Sequence, residues 1–372
     1  MKLEQLLEGV PFTLAQGSLD TEISDIIYDS RKAAPGLLFV CIVGTQRDSH
    51  EFAADCAAKG VSALVIQHDI DLSAMPGVTV VKVESSRYAM ALMSANLFGN
   101  PSRKMTMIGV TGTKGKTTTT HMIKSVLEAA GRKVGMIGTN GIYYMGRHKE
   151  TANTTPESYE LQKTFREFLD AGCDTALMEV SSQGLMMDRV AGIHYKVGVF
   201  TNLYPDHIGP GEHSSFEEYR SWKGKLFQRC DVGVVNADDP NTEALLEGHT
   251  CKLVTYGIHA PKVDYRASEQ YRLLRNKEML GVEFTLTEPD GHTLDVQVGM
   301  PGLFSIYNAL ATIGVGKVLG LADAPIHEGL KKALVKGRVE LVPISHKFTI
   351  LIDYAHNEAA TESLIETLRE YK

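Results

Sequence analysis

"IGVTGTKGKTTTTHMI", residues 108–123, joins an apolar run to a helix-like pattern through a glycine-containing turn. A strand over 105–110, glycines at 112 and 115 and a helix over 116–130 follow in the order that a phosphate loop needs. Backbone N–H groups exposed around Gly112 and Gly115, backed by a helix N-terminus, attract phosphate oxygens. Lys116 adds a charge for the outer phosphates, and the Thr117 hydroxyl suits Mg2+. The spacing departs from the standard pattern, because Val110 stands five positions before Gly115 and Gly109 falls one residue early. The alternative is a plain strand–turn–helix with a chance Gly-Lys-Thr. What the bound energy would be used for has to come from the rest of the chain.

Working outward, apolar runs at 105–110, 133–137, 175–180, 196–201 and 232–235 alternate with helical stretches at 116–130, 157–171 and 215–228. Strand and helix in alternation predict an α/β fold with a mostly parallel sheet covered on both faces. Upstream, "GLLFVCIVG" (36–44) and "VSALVIQ" (61–67) flank a crossover helix, and a helix over 85–99 ends at Gly99 and Pro101. Downstream, 263–298 is alternating and turn-rich, an antiparallel addition around Asp290-Gly291. A helix at 305–320 is followed by a break at "GRVELV" (337–342), a strand at 348–354 and a helix at 358–371. One strand and one helix cannot bury a core, so a third domain is expected to begin there without finishing. The expected regions are 1–101, 102–338 and 339–372.

Composition narrows the chemistry. In 372 residues the net charge is −7, which speaks against non-specific binding to nucleic acid. Five scattered cysteines without a Cys-x-x-Cys pair read as reduced thiols of a cytoplasmic protein. No apolar run approaches the roughly 18 residues that span a bilayer, and "MKLEQLLEGVPFTL" is no signal peptide.

Further residues carry candidate chemistry. Glu179 ends a buried strand, where α/β sheets place ligand-contacting groups, though a strand-end carboxylate can also simply cap a helix. His207 lies in a loop after another strand and by itself reads as an ordinary surface or packing histidine. Asn153, Thr154 and Thr155 precede Pro156 at a helix start, and a cap needs only one such residue. Lys223, by itself, reads as a solvated helix lysine.

The set resembles the Mur ligase family. The resemblance is carried by "GTKGKTT", "YDSRKAAPGLLFVCIVGTQRDSHEFAADCAAKGVSALV" (28–65), "NTTPES" (153–158), "MEVSSQGL" (178–185), "VFTNLYPDHIG" (199–209), "YRSWKGKLF" (219–227), "VVNADDP" (234–240), "GLFSIYNALATIG" (302–314), "GRVE" (337–340) and "DYAHNEAA" (353–360). It implies ATP-dependent amide formation through an acyl phosphate, with ATP and Mg2+, in peptidoglycan precursor synthesis. The opening segment and "NTTPES" look like the branch that adds the third residue to UDP-N-acetylmuramoyl-L-alanyl-D-glutamate.

By that resemblance Gly112, Thr113, Lys114, Gly115, Lys116, Thr117, Thr118, Asn308, Arg338 and Asp353 would surround ATP. Thr117, Glu179, His207 and a carbamylated Lys223 would hold metal. Asn153, Thr154, Thr155, Ser181 and Arg189 would hold the muramoyl-dipeptide, and Ser30, Thr45, Gln46 and Arg47 its uridine diphosphate end, with charge from Arg31 and Arg47. The partners implied are small molecules, the dipeptide substrate and an amino acid, with no nucleic acid and no membrane. A folate- or cyanophycin-extending ligase, and a nucleotide-binding protein that ligates nothing, stand as alternatives.

Overall fold

The computed structural model describes residues 1–44, 47–275, 280–342, 344, 350–355 and 358–371. Two compact units emerge. The first comprises Met1–Lys104, Pro156–Asp170 and Gln183–Ile193; the second comprises Met105–Thr155, Ala171–Ser182 and His194–Lys372.

The first unit is built on a sheet of β1 (Thr13–Gln16), β2 (Asp25–Ile27), β3 (Leu37–Val40), β4 (Ala63–Ile66) and β5 (Thr79–Lys82), ordered β1-β5-β4-β3-β2. Strands β2 to β5 run parallel, and β1 joins antiparallel at the edge. The alternate side chains of β3 and β4 feed two cores. Leu38, Val40, Ala63 and Val65 pack toward the helix Ser86–Leu97, and Phe39, Leu64 and Ile66 toward the helix Ala53–Ala58. Apolar residues at consecutive positions reflect a sheet buried on both faces.

The helix Ser158–Asp170 belongs here, although its place in the chain is that of a crossover helix of the larger sheet. Tyr159 explains this. Its hydroxyl donates to both oxygens of Asp25 at 2.9 and 3.0 Å, and its ring meets Phe98 edge-on at 5.4 Å. The helix is amphipathic in sequence, but periodicity says nothing of which sheet its apolar face will cover. The expected contiguous regions 1–101 and 102–338 therefore differ from the packing, which takes 156–170 and 183–193 out of the second and groups them with the first.

The second unit holds an eleven-stranded sheet, ordered β16-β15-β14-β13-β12-β11-β6-β10-β7-β8-β9. Its strands are β6 (Thr106–Thr111), β7 (Val134–Gly138), β8 (Gly141–Tyr144), β9 (Arg147–Lys149), β10 (Thr175–Glu179), β11 (Tyr195–Phe200), β12 (Cys230–Asn236), β13 (Lys252–Gly257), β14 (Tyr265–Arg275), β15 (Leu280–Thr287) and β16 (Thr293–Val298). From β14 to β7 the strands are parallel; the pairs β14-β15, β15-β16, β7-β8 and β8-β9 are antiparallel. The turn at Asp290-Gly291 closes the β15–β16 hairpin, with Gly291 at φ +83°. The chain leaves β6 toward β7 and later returns to β11 on the other side of β6. That reversal makes the carboxyl ends of β6, β10 and β11 the place where a ligand crevice forms.

Near the C-terminus, β17 (Glu340–Val342) pairs antiparallel with β18 (Ile350–Ile352), and a helix spans Glu358–Arg369. The expected strand 348–354 is shorter, and its residues 348 and 349 lie outside the described residues. The segment is grouped with the second unit, where the Tyr371 hydroxyl donates to Gly281 O at 2.6 Å.

Candidate active site

Strand β6 ends at buried Thr111 and turns through Gly112 at φ +144° and Gly115 at φ +84°. A side chain at Gly112 would overlap Thr201 Oγ1, so glycine is required there by both space and backbone angle. Gly115 starts the helix Lys116–Ala129 without any side-chain cap, which leaves its first-turn N–H groups directed at the loop. Residues after β11 brace the loop from below. Thr113 N donates to Asn202 O (2.8 Å), Lys114 N to Asn202 Oδ1 (2.9 Å), and Thr201 Oγ1 to Lys114 O (2.7 Å). Thr113 Oγ1 lies 3.1 Å from the Tyr219 hydroxyl.

Lys116 folds over this loop, its Nζ donating to Gly112 O at 2.9 Å and Thr113 O at 3.0 Å. Burial of the ammonium pushes its pKa down, against the pull of the Glu179 charge. Lys223 reaches the same carbonyl from the helix Phe216–Gly224: its Nζ donates to Gly112 O at 2.9 Å and lies 4.5 Å from the Tyr219 ring centre. At 2% exposure it is no solvated lysine, as the residue pattern alone suggests. Burial, and next the charge of Lys116, hold it well below the usual lysine value. The helix places Tyr219 and Lys223 four residues apart on one face, and that face is turned inward.

Glu179, at the end of β10, is 1% exposed. Its Oε1 accepts from Thr117 Oγ1 at 3.0 Å and Thr139 N at 2.9 Å, and its Oε2 from Thr139 Oγ1 at 3.2 Å. Gly138 lies so close beneath that a Cβ would overlap the carboxylate. A carboxylate and a threonine hydroxyl side by side at a phosphate loop are hard oxygen donors of the kind Mg2+ takes, so these residues fit that ion. Thr139 escaped the sequence reading. The strand-end rule that marks Glu179 also marks it, since it follows β7 directly.

The other expected residues divide. Thr155 is buried and structural, its hydroxyl donating to Glu179 O at 3.0 Å and accepting from Ser181 N at 3.0 Å. Thr154 Oγ1 lies 3.0 Å from Thr139 Oγ1, and Asn153 is exposed. Thr118 is buried in the first turn after the loop. Asn308 stands behind Gly115 and accepts from Thr119 Oγ1 at 3.1 Å, so its carbonyl oxygen braces the helix. His207, at φ +55°, turns its Nδ1 to Glu212 Oε1 at 3.1 Å and is half-exposed. His213 is fully buried, with Nε2 2.9 Å from Ser182 Oγ and Nδ1 without a hydrogen-bond partner. Arg338 lies over the Tyr354 ring at 5.0 Å. Asp353 accepts from Ala355 N at 2.7 Å within its own turn and from Val339 N, 14 residues away, at 2.8 Å.

In the first unit, Ser30 opens a short turn and its carbonyl accepts from Lys59 Nζ at 3.1 Å. Arg31 is held by Asp29 through two bonds of 2.9 and 2.8 Å. Thr45 and Gln46 lie outside the described residues. Arg47 is exposed and lines a cavity of about 650 Å3 with Asp48, His50, His68 and Asp71. Asp48 accepts from both histidines, which stack at 3.9 Å. This trio is not arranged for a metal: His50 Nε2 accepts from Gln67 N at 2.9 Å, so Nδ1 keeps its proton and gives it to Asp48. Arg189 shares the Glu157 carboxylate with Arg87, which the sequence reading did not mark. No helix among the described residues is long and apolar enough to cross a membrane.

Comparison with known proteins finds a matching family model, curated relatives and solved structures of the same fold. The Mur ligase middle domain matches residues 110–316. The UDP-N-acetylmuramoyl-L-alanyl-D-glutamate–2,6-diaminopimelate ligase of Clostridium perfringens is 37% identical over all of this chain and 76% of its own length. That of Caldanaerobacter subterraneus is 39% identical over all of this chain and 75% of its own. A solved structure of a ligase of the same name superposes with a TM-score of 0.81 at 22% identity, over 99% of this chain and 74% of that one.

Proposed function

The chain belongs to the Mur ligase family of ATP-dependent acid–amino-acid ligases, and from that premise we propose that it joins 2,6-diaminopimelate to the D-glutamate carboxyl of UDP-N-acetylmuramoyl-L-alanyl-D-glutamate. The relatives' names supply the amino acid. The observation that carries the mechanism is the meeting of Lys116 and Lys223 on Gly112 O, beside the Thr117–Glu179 pair.

The reaction must bring a carboxylate against the γ-phosphate of ATP, two anions that repel. The carboxylate oxygen attacks phosphorus and ADP leaves; the amine then attacks the acyl carbon, phosphate departs and the amine gives up a proton. Charge neutralisation is the largest task in the first step. Lys116 meets the outer phosphates, and the first-turn N–H groups meet the inner ones. Thr117 and Glu179 would hold Mg2+, with His207 as a further ligand; when bound, the ion withdraws charge from the phosphate oxygens. Lys223 is suited to carbamylation, because only a neutral amine adds CO2 and its burial favours that form. Thr154 and Arg189 would contact the dipeptide.

The test is ADP formation with and without the UDP-muramoyl-dipeptide, with 2,6-diaminopimelate, lysine or ornithine as amine and the product read by mass. ADP formation should require the dipeptide, and the tripeptide product should form with 2,6-diaminopimelate. ATP turnover indifferent to the dipeptide, or stimulated by folates, would overturn the reading.

A further inference from the structure

Three charged side chains from distant parts of the sequence meet inside the first unit. Glu157 Oε1 accepts from Nε of Arg189 at 2.9 Å and from its Nη2 at 2.7 Å, while Oε2 accepts from Arg87 Nη1 at 3.1 Å. Arg87 lies in the first turn of the helix Ser86–Leu97, Glu157 just before the helix Ser158–Asp170, and Arg189 in the segment 183–193. Their side chains are 23, 18 and 11% exposed, so this is not a loose surface pair.

We propose that Glu157, seconded by Arg87, is a positioning residue that orients the Arg189 guanidinium toward an anionic group of the substrate. This rests on the reading of Arg189 as a contact to the muramoyl-dipeptide. An arginine side chain carries much rotamer freedom, and a carboxylate gripping one edge of its planar fork fixes both plane and reach. A single carboxylate with a single arginine would, however, cancel the field that the arginine is there to supply. Arg87 resolves that conflict. It engages the second oxygen of Glu157, and two guanidinium groups on one carboxylate leave the trio with an excess of positive charge. The next acid along that helix, Glu160, accepts from the Tyr28 hydroxyl at 2.8 Å, and its charge bears on that tyrosine together with those of Glu157 and Arg189. A guanidinium fixed in plane and reach is what recognition of a carboxylate or phosphate requires.

Calorimetric binding of UDP-N-acetylmuramoyl-L-alanyl-D-glutamate, and separately of MgADP, tests this on the full chain. Glu157→Gln should weaken dipeptide binding about tenfold and lower the melting temperature, because two guanidinium groups lose their shared carboxylate, with MgADP binding as in the parent. Arg189→Gln should weaken it at least as much, and adding Glu157→Gln to it should cost nothing further, because Glu157 acts through Arg189. Arg87→Gln should weaken dipeptide binding in the same way, and it carries the test should Glu157→Gln not fold. Unchanged dipeptide binding in Glu157→Gln, losses that multiply in the double variant, or a fall in MgADP binding would each overturn the proposal. A parent that binds MgADP but no dipeptide overturns the functional reading, and this proposal with it.

Discussion

The two units each gather partly or fully buried cations, and they treat them in opposite ways. In the first, Arg87 and Arg189 share the carboxylate of Glu157. In the second, Lys116 and Lys223 share a neutral carbonyl, that of Gly112. A carboxylate between two arginines offsets most of their desolvation cost and fixes their geometry. A carbonyl offsets far less, so the two ammonium groups repel and burial lowers both pKa values. The first arrangement orients charge that remains charge. The second holds it in tension, where a polyphosphate or a change of protonation state relieves it.

The comparison breaks most sharply at Lys116. Lys116→Ala should reduce ATP affinity at least 100-fold, a loss of about 3 kcal/mol, while the fold survives and melts no lower in the absence of nucleotide. Isothermal titration reads the first and calorimetric melting the second; equal ATP affinity in variant and parent would end the phosphate-loop assignment. Next in size, Glu179→Gln keeps the Thr117 and Thr139 geometry but removes the anion. Mn2+ binding with ADP, followed by electron paramagnetic resonance, should weaken by roughly tenfold.

Lys223 sharpens the comparison through pH. In the unfolded chain it keeps its proton up to the ordinary value of 10.5, whereas in the folded protein it gives the proton up well below that. The unfolded state therefore binds more protons in that interval, and stability must rise with pH across it. Lys223→Met should flatten the rise and be the more stable protein at its lower end, by melting without nucleotide or CO2. In turnover, Lys223→Ala should lose activity and regain part of it with short carboxylic acids that replace the carbamate. Full activity without added acid would remove the metal role. The smallest effect is expected at Arg31, whose pair with Asp29 is solvent-exposed: Arg31→Ala should leave the melting temperature unchanged within error, since exposed pairs contribute little.

The glycine turn between β6 and the helix Lys116–Ala129 was legible because all its determinants are local. Strand, glycines, lysine and helix follow one another within 106–129, and no distant residue is needed to recognise them. Glu179 was legible for a related reason: a strand end in a parallel sheet faces the crevice whatever surrounds it. Lys223 was not. Its own helix, with Glu217, Glu218, Arg220 and Lys225 around it, carries the pattern of a solvated face, and only family resemblance singled it out. Arg87 left no mark, and Glu157 none beyond its place in "NTTPES", since 70 residues separate them and each alone is an ordinary surface charge.

The sequence by itself determined the α/β alternation, the phosphate loop and its helix, and the strand-end carboxylate, because each follows from spacing along a few turns or one strand. Only the tertiary structure decided that the helix Ser158–Asp170 joins the first unit, that Lys223 lies on Gly112 O, and that Thr155 and Asn308 brace rather than face outward. These depend on which surfaces meet. A periodic pattern specifies that a face is apolar or charged, but the partner that covers it is chosen by packing between segments far apart in the chain.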